Sequence, residues 1–291
     1  LQERQPGMNE IKIIGVCGAG TMGSGIAQVA AMAGYDTILF DLSRDMLTKS
    51  RAAITKNLDR FVLQGKMEVW EKSECLHRIR FTDNINECIA DFFIEAIVER
   101  KEAKSSLFNQ LAAINNTETV FATNTSSIAV SDIAAAVSNP SRVVGMHFFN
   151  PAPLMKLVEV VKAEQTDAAV VKTVVNLARQ MGKTPVVCKD APGFIVNRVA
   201  RPYYLEAMKL VEEGYATIET IDAVMEATGF KMGPFRLMDL IGLDINYSVS
   251  NIVWEALGKP ERLTPSPIQK QKLTVGELGR KTGKGFYEYR E

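Results

Sequence analysis

The chain has 291 residues, 46% of them hydrophobic, enough for two packed domains with sizeable cores. Its 34 Lys and Arg balance 34 Asp and Glu, so no overall basic surplus points to nucleic acid or an anionic membrane, and any anion binding falls to local clusters. The 4 cysteines show neither a C-x-x-C pair nor neighbouring His ligands, which speaks against structural zinc or a disulfide framework and fits a reducing cytoplasm.

The opening residues 1–7 are polar and lack the apolar core of a signal peptide; Met8 is the expected native start, with the residues before it an added remnant. No stretch approaches the roughly 18 uninterrupted apolar residues of a membrane span, so a soluble protein is expected. From Ile11 to Cys17 runs a short β-branched segment, followed by glycines, a small-residue apolar helix over Met22 to Ala33, and a second strand over Thr37 to Phe40. That is a βαβ unit. Ser43 to Lys66 reads as a long amphipathic helix, too long for a simple crossover and expected to project outward from the sheet. Further strands are predicted at Arg78 to Thr82, Phe92 to Ala96, Val120 to Thr123, Val143 to Phe148, Leu157 to Val161 and Thr184 to Val187.

At Lys189-Asp190-Ala191-Pro192-Gly193 the pattern changes, and the rest is helical in period: Ile195 to Glu213, Thr217 to Thr228, Pro234 to Ile241 and Leu243 to Ala256. The expected class is α/β, a Rossmann-type doubly wound sheet over residues 8–190 followed by an all-helical domain over 191–291.

Gly18-Ala19-Gly20-Thr21-Met22-Gly23 is a G-x-G-x-x-G that leaves a strand and opens a helix, the context a dinucleotide site requires. Gly18 permits the tight turn, Gly20 lets backbone approach a pyrophosphate, and Gly23 allows close packing of helix on strand. Thr21 and Met22 open that helix, whose unpaired N–H groups face the phosphates. Asp41 ends the second strand, about 20 residues beyond the glycines, where a carboxylate accepts from a ribose and repels a 2′-phosphate. NAD is favoured over NADP, with Arg44 close enough in sequence to count against that choice. Read alone, the alternative for Asp41 is a helix-capping or turn role.

Of the 2 histidines, His147 lies in Met146-His147-Phe148-Phe149-Asn150-Pro151, at the end of an apolar strand. Glu159 sits in Leu157-Val158-Glu159-Val160-Val161, apolar enough to be buried, and a buried carboxylate is costly without a partner. If the two strands are neighbours, Glu159 holds one ring nitrogen of His147 and leaves the other to exchange a proton with substrate. The bland alternative is a strand-end salt bridge to Lys156.

With these motifs, and with Ile94-Glu95-Ala96-Ile97-Val98-Glu99, Thr123-Asn124-Thr125-Ser126-Ser127, Ala191-Pro192-Gly193-Phe194-Ile195-Val196-Asn197-Arg198 and Lys281-Thr282-Gly283-Lys284-Gly285-Phe286-Tyr287, the chain resembles the L-3-hydroxyacyl-CoA dehydrogenase family over nearly its whole length. It is most similar to the bacterial members that act on 3-hydroxybutyryl-CoA. The resemblance implies that His147 is the general acid/base, Glu159 its support, Ser126 a hydrogen-bonding partner of the reacting oxygen and Asn197 a holder of the thioester. It also implies that Asp41, Glu99, Lys104, Ser126, Asn150 and Lys281 surround bound NAD. CoA is expected on the basic helix, where Lys49, Arg51, Lys56, Arg60 and Lys66 recur; Lys56 and Lys66 are the expected contacts. At Asn57 some relatives carry a CoA-binding serine, so that contact is not carried over.

Taken singly, Ser126 reads as a turn residue, Asn197 as a helix-surface hydrogen bonder, Glu99 and Lys104 as a solvated helix start, and the basic run as a solvated face. The helical domain is expected to close the cleft and to form a homodimer through Tyr203, Leu205, Met208 and Leu210, which serve equally as interior packing. No metal is expected. The rival functions are a dehydrogenase of free 3-hydroxy or sugar acids, a crystallin-like relative without turnover, and a nucleotide-sensing module; the set Ser126, His147, Glu159 and Asn197 argues against the last two.

Overall fold

The computed structural model describes residues 10–289, so the expected start at Met8 lies outside the described residues. The chain divides into two compact units, one ending at Asp190 and the other beginning at Ala191.

The first unit is built on β1 (Ile13–Cys17), β2 (Asp36–Phe40), β3 (Ile79–Thr82), β4 (Phe92–Glu95), β5 (Val120–Thr123), β6 (Val143–Phe148), β7 (Leu157–Lys162) and β8 (Thr184–Lys189). They form one 8-stranded sheet in the order β3-β2-β1-β4-β5-β6-β7-β8. The first six strands run parallel in the doubly wound order, and β7 then turns back antiparallel to β6, with β8 parallel to β7. Strands covered on both faces need apolar side chains on both faces, which is why β1, β4, β5 and β6 read as continuous apolar runs rather than alternating ones. The strand order reverses between β1 and β4, the place where a doubly wound sheet opens a crevice beyond its strand ends.

Helices α1 (Thr21–Met32), α2 (Arg44–Leu63), α3 (Val69–His77), α4 (Lys101–Ile114), α5 (Val130–Ala134) and α6 (Ala168–Gln180) complete this unit. The expectation that the long basic helix projects outward is corrected. Leu47, Ile54 and Leu58 recur at helical spacing along α2 and join the core formed by α1 and the sheet. Ser50 Oγ, on the same face, accepts from Ser24 Oγ of α1 at 2.7 Å. The hairpin is closed by α3, whose start carries a reciprocal cap between Glu68 and Glu71.

The second unit holds α7 (Val196–Glu212), α8 (Ile218–Ala227), α9 (Pro234–Ile241), α10 (Leu243–Ala256) and α11 (Pro267–Thr274). Its core gathers Tyr204, Leu205, Met208, Phe235, Met238, Leu243, Val253 and Phe286. Leu205 and Met208, expected at a dimer interface, therefore pack inside their own unit. Two buried carboxylates organise the rest. Asp222 accepts from the Phe235 and Arg236 amides at the start of α9, and Asp239 accepts from the Phe286 and Tyr287 amides and the Tyr289 hydroxyl. No helix among the described residues is long and apolar enough to cross a membrane.

Candidate active site

The glycine turn is fixed by backbone sterics and by one acid. Gly18 has φ +101°, a conformation that side chains disfavour, and its amide donates to Phe40 O at 2.8 Å. A Cβ on Gly23 would stand 1.7 Å from Gly18 O, so α1 can lie against the turn only because that residue has no side chain. Around Gly20, by contrast, a Cβ would meet nothing within 4 Å, leaving the backbone open where a pyrophosphate needs to approach. Asp41 Oδ2 accepts from the Ala19 amide at 2.7 Å and Oδ1 from the Ser43 amide at 2.9 Å, so the acid holds the turn from the end of β2. A cavity of about 660 Å³ borders these residues, lined by Gly18, Gly20, Asp41, Asp83, Ile97 and Val98. Its bare glycine backbone, helix start and carboxylate wall suit the phosphates and adenosine ribose of NAD. Arg44 does not line it, and its guanidinium is engaged by Asp83.

At the other end of the sheet, the antiparallel register of β6 and β7 sets His147 directly opposite Glu159. His147 Nδ1 and Glu159 Oε2 are 2.8 Å apart, with His147 6% and Glu159 1% exposed. With the carboxylate as acceptor, Nδ1 is the ring nitrogen that carries the proton. Phe149 packs on the imidazole, ring centroids 4.6 Å apart. Asn124 Oδ1 accepts from the Phe148 amide at 2.8 Å, tying the histidine end of β6 to the end of β5.

Ser126 lies on the turn after β5, and Glu99 shapes that turn. Glu99 Oε1 accepts from the Thr125 hydroxyl at 2.6 Å, the Ser126 amide at 3.0 Å and the Ser127 hydroxyl at 2.9 Å. Burial raises the Glu99 carboxyl, but Lys104 and these hydroxyls outweigh it and hold it below the usual carboxylate range. The solvated reading of Lys104 is corrected: it is 1% exposed, with Nζ at 2.6 Å from Glu95 Oε1 and 3.1 Å from Glu99 Oε2. A lysine enclosed between two acids supports the Ser126 turn from beneath. Burial pushes the Glu95 carboxyl up, while Lys104, Thr123 and the Ile97 amide pull it back.

The remaining expected residues are scattered. Thr21 and Met22 open α1, and Asn150 is exposed two residues beyond the end of β6. Lys56 is exposed on the outer side of α2, and Lys66 is exposed just beyond its end. Arg51 of the same basic run stacks on Phe81, 4.4 Å from the ring centroid. Asn197 stands on the first turn of α7 in the second unit. Lys281, expected at the dinucleotide, is bound within the second unit by both oxygens of Asp244, at 2.5 and 2.6 Å.

Sequence reasoning gave no role to Glu95, Thr125, Asn124 or Lys183. Glu95 carries the signal that exposed Glu159, an acid inside an apolar strand. Lys183 carried none: its ammonium donates to Ala152 O at 2.5 Å and Met155 O at 3.0 Å, binding the loop that follows Asn150. Burial, then Lys156, brings its pKa down to about 8. Among the described residues no group of His, Cys, Asp and Glu is arranged to hold a metal ion.

Comparison with known proteins agrees with this geometry. The family description "3-hydroxyacyl-CoA dehydrogenase, NAD binding domain" matches residues 13–191, and the corresponding C-terminal domain matches 193–289. The chain is 46% identical over 285 residues to the 3-hydroxyadipyl-CoA dehydrogenase of Escherichia coli K12, covering 97% of this chain and 60% of that longer protein. It is 40% identical to the 3-hydroxybutyryl-CoA dehydrogenase of Mycobacterium tuberculosis H37Rv, covering 96% of this chain and 99% of that one. The crystal structure of (S)-3-hydroxybutyryl-CoA dehydrogenase from Ralstonia eutropha superposes with a TM-score of 0.92 at 36% identity, covering 97% of this chain and 100% of that one. The chain belongs to the 3-hydroxyacyl-CoA dehydrogenase family.

Proposed function

We propose that this chain catalyses the reversible oxidation of an (S)-3-hydroxyacyl-CoA to the 3-ketoacyl-CoA, with 3-hydroxybutyryl-CoA and acetoacetyl-CoA as the working pair. The observation that carries this reading is the buried His147–Glu159 pair on neighbouring strands of an NAD-binding sheet. NAD, when bound, supplies the nicotinamide ring that accepts the hydride from C3 of the alcohol. His147 Nε2 takes the proton of the C3 hydroxyl as the carbonyl forms, and returns it when the reaction runs backwards. Glu159 keeps Nδ1–H in place and stabilises the imidazolium.

The Ser126 hydroxyl hydrogen-bonds the reacting oxygen, and Asn197 holds the thioester. Gly18, Gly20, Gly23 and Asp41 bind the dinucleotide, with Thr21, Met22 and Asn150 beside them, while Glu99 and Lys104 act indirectly by shaping the Ser126 turn. Lys56 and Lys66 meet the phosphates of CoA. The same proposal makes the protein a cytoplasmic homodimer; all 4 cysteines are free and Cys17, Cys75 and Cys88 are buried, consistent with a reducing compartment.

Rates of NADH and NADPH oxidation with acetoacetyl-CoA, a longer 3-ketoacyl-CoA and a free 3-keto acid test the reading together. Turnover of acetoacetyl-CoA with NADH is expected. Turnover of the free acid alone would replace it with the rival dehydrogenase.

A further inference from the structure

Acids end two neighbouring strands on the rim of the dinucleotide cavity. β2 and β3 pair in parallel with Phe40 opposite Thr82, so the residues that follow them, Asp41 and Asp83, leave the sheet side by side. The Asp41 amide donates to Thr82 O at 3.2 Å, which carries the pairing to the strand ends. Both acids line the cavity of about 660 Å³ that borders Gly18 and Gly20. Asp41 has a structural task there, since its carboxylate accepts from the Ala19 and Ser43 amides. Asp83 has a different partner: its carboxylate accepts from Nε of Arg44, the first residue of α2. The exit of β3 that carries Asp83 is itself fixed, because the Thr82 hydroxyl donates to Glu87 Oε2 at 2.7 Å and accepts from the Asn84 amide at 3.1 Å.

Arg44 stands three residues beyond Asp41, in the region where doubly wound enzymes that use NADP present an arginine to the 2′-phosphate. An unengaged guanidinium there would counter the repulsion from Asp41 and donate charge-assisted hydrogen bonds to the phosphate. The side chains of Arg44 and Asp83 are 84% and 33% exposed, so their pairing adds little to folding. Its consequence lies in what faces the cavity, which both acids line and Arg44 does not. The hydrogen bond from Arg44 also holds the Asp83 carboxyl below the usual carboxylate range, so it stays ionised. A phosphate monoester carries a charge of about −1.5 to −2 at neutral pH, and here it would meet two carboxylates with Arg44 already taken.

We propose that Asp83 determines cofactor choice together with Asp41: it pairs with Arg44 and so withholds from NADP the guanidinium that would otherwise receive its 2′-phosphate. The chain thus carries an arginine suited to NADP and an acid that cancels it. The proposal rests on the dinucleotide reading of this cavity and goes beyond it, since Asp41 alone leaves Arg44 free to oppose it.

The test is equilibrium binding of NADH and of NADPH, read by nicotinamide fluorescence, to the wild type, Asp83→Ala, Arg44→Ala and the double variant, with melting temperatures measured beside it. Wild type should prefer NADH. Asp83→Ala should melt as the wild type does and bind NADPH about tenfold or more tighter, because the released arginine gains a charged partner. Its NADH affinity should change by less than about twofold, since NADH lacks that phosphate. Arg44→Ala alone should leave NADPH binding as it was, and in the double variant the gain should shrink to about threefold or less. Raising the salt from about 50 mM to about 500 mM should erode the gain of Asp83→Ala. If the alanine variant melts early, Asp83→Asn should show the same gain in smaller measure. Unchanged NADPH affinity in a folded Asp83 variant, or a gain that survives removal of Arg44, overturns the proposal and leaves the dehydrogenase reading standing. A wild type that binds neither dinucleotide overturns both.

Discussion

Lys104→Met isolates the polar network beneath the Ser126 turn. Methionine keeps the length of the side chain but removes the ammonium that lies 2.6 Å from Glu95, and neither partner is more than 1% exposed. Glu95 would retain the Thr123 hydroxyl and the Ile97 amide, both at 2.7 Å, yet would hold a buried charge with no cation against it. Breaking a buried pair in this way costs about 3–5 kcal/mol, a large share of the about 5–15 kcal/mol that holds a typical domain. With a urea slope of about 3 kcal/mol per molar, the unfolding midpoint of the first unit should drop by about 1 M or more. Trp70 reports that unit once the other tryptophan, Trp254, is replaced by Phe.

The sign with pH follows from Glu95. Burial already raises its pKa and Lys104 opposes the rise, so the variant raises it further. A carboxyl whose folded pKa is raised destabilises increasingly as pH climbs from its unfolded value of about 4.3 through the folded one, and not below that range. The loss should be greater at pH 8 than at pH 5. Adding Glu95→Gln, which removes the charge and still accepts from the Ile97 amide, should restore at least half of it. A loss below about 1 kcal/mol, or one that is equal at both pH values, would refute the argument for a buried ion pair.

Two glycines should behave oppositely. Gly20→Ala should fold with an unchanged melting temperature but bind NADH at least tenfold more weakly, because its Cβ enters open space facing the phosphates; calorimetry reads both. Gly23→Ala should lose folded protein outright, since its Cβ meets the Gly18 carbonyl at 1.7 Å, and normal melting there would show that α1 can shift. Glu99 gives an acid limit. Its pKa is depressed, so the stability it lends the Ser126 turn is complete above the ordinary value of about 4.3 and is lost as pH falls through the lower folded value. Amide protection factors at Ser126 and Ser127, taken against the intrinsic exchange rate at each pH, should fall only below the ordinary carboxylate value of about 4.3, and a fall near pH 6 would point to another group.

The strands and the first helix were legible because a covered parallel sheet demands apolar runs punctuated by glycines, and that demand is local. Helix α11 was not: its sequence, Pro267 to Thr274, is polar with little periodic contrast, and it forms through packing on α10. The same limit applied to α2, whose basic residues dominated the reading while Leu47, Ile54 and Leu58 decided its placement. At the site, Glu159 announced itself as an acid inside an apolar strand, and antiparallel pairing gave it a partner. Lys104 misled because a lysine near a helix start is ordinarily solvated; only the folded positions of Glu95 and Glu99 enclose it.

The role assigned to the His147–Glu159 pair is tested most directly by the turnover of His147→Gln with acetoacetyl-CoA and NADH, measured on protein whose NADH affinity has been determined in the same preparation. Loss of the proton carrier predicts a fall in kcat of about a hundredfold or more with NADH binding unchanged, and Glu159→Gln should follow in the same direction. A His147→Gln protein that turns over at the wild-type rate would contradict the account.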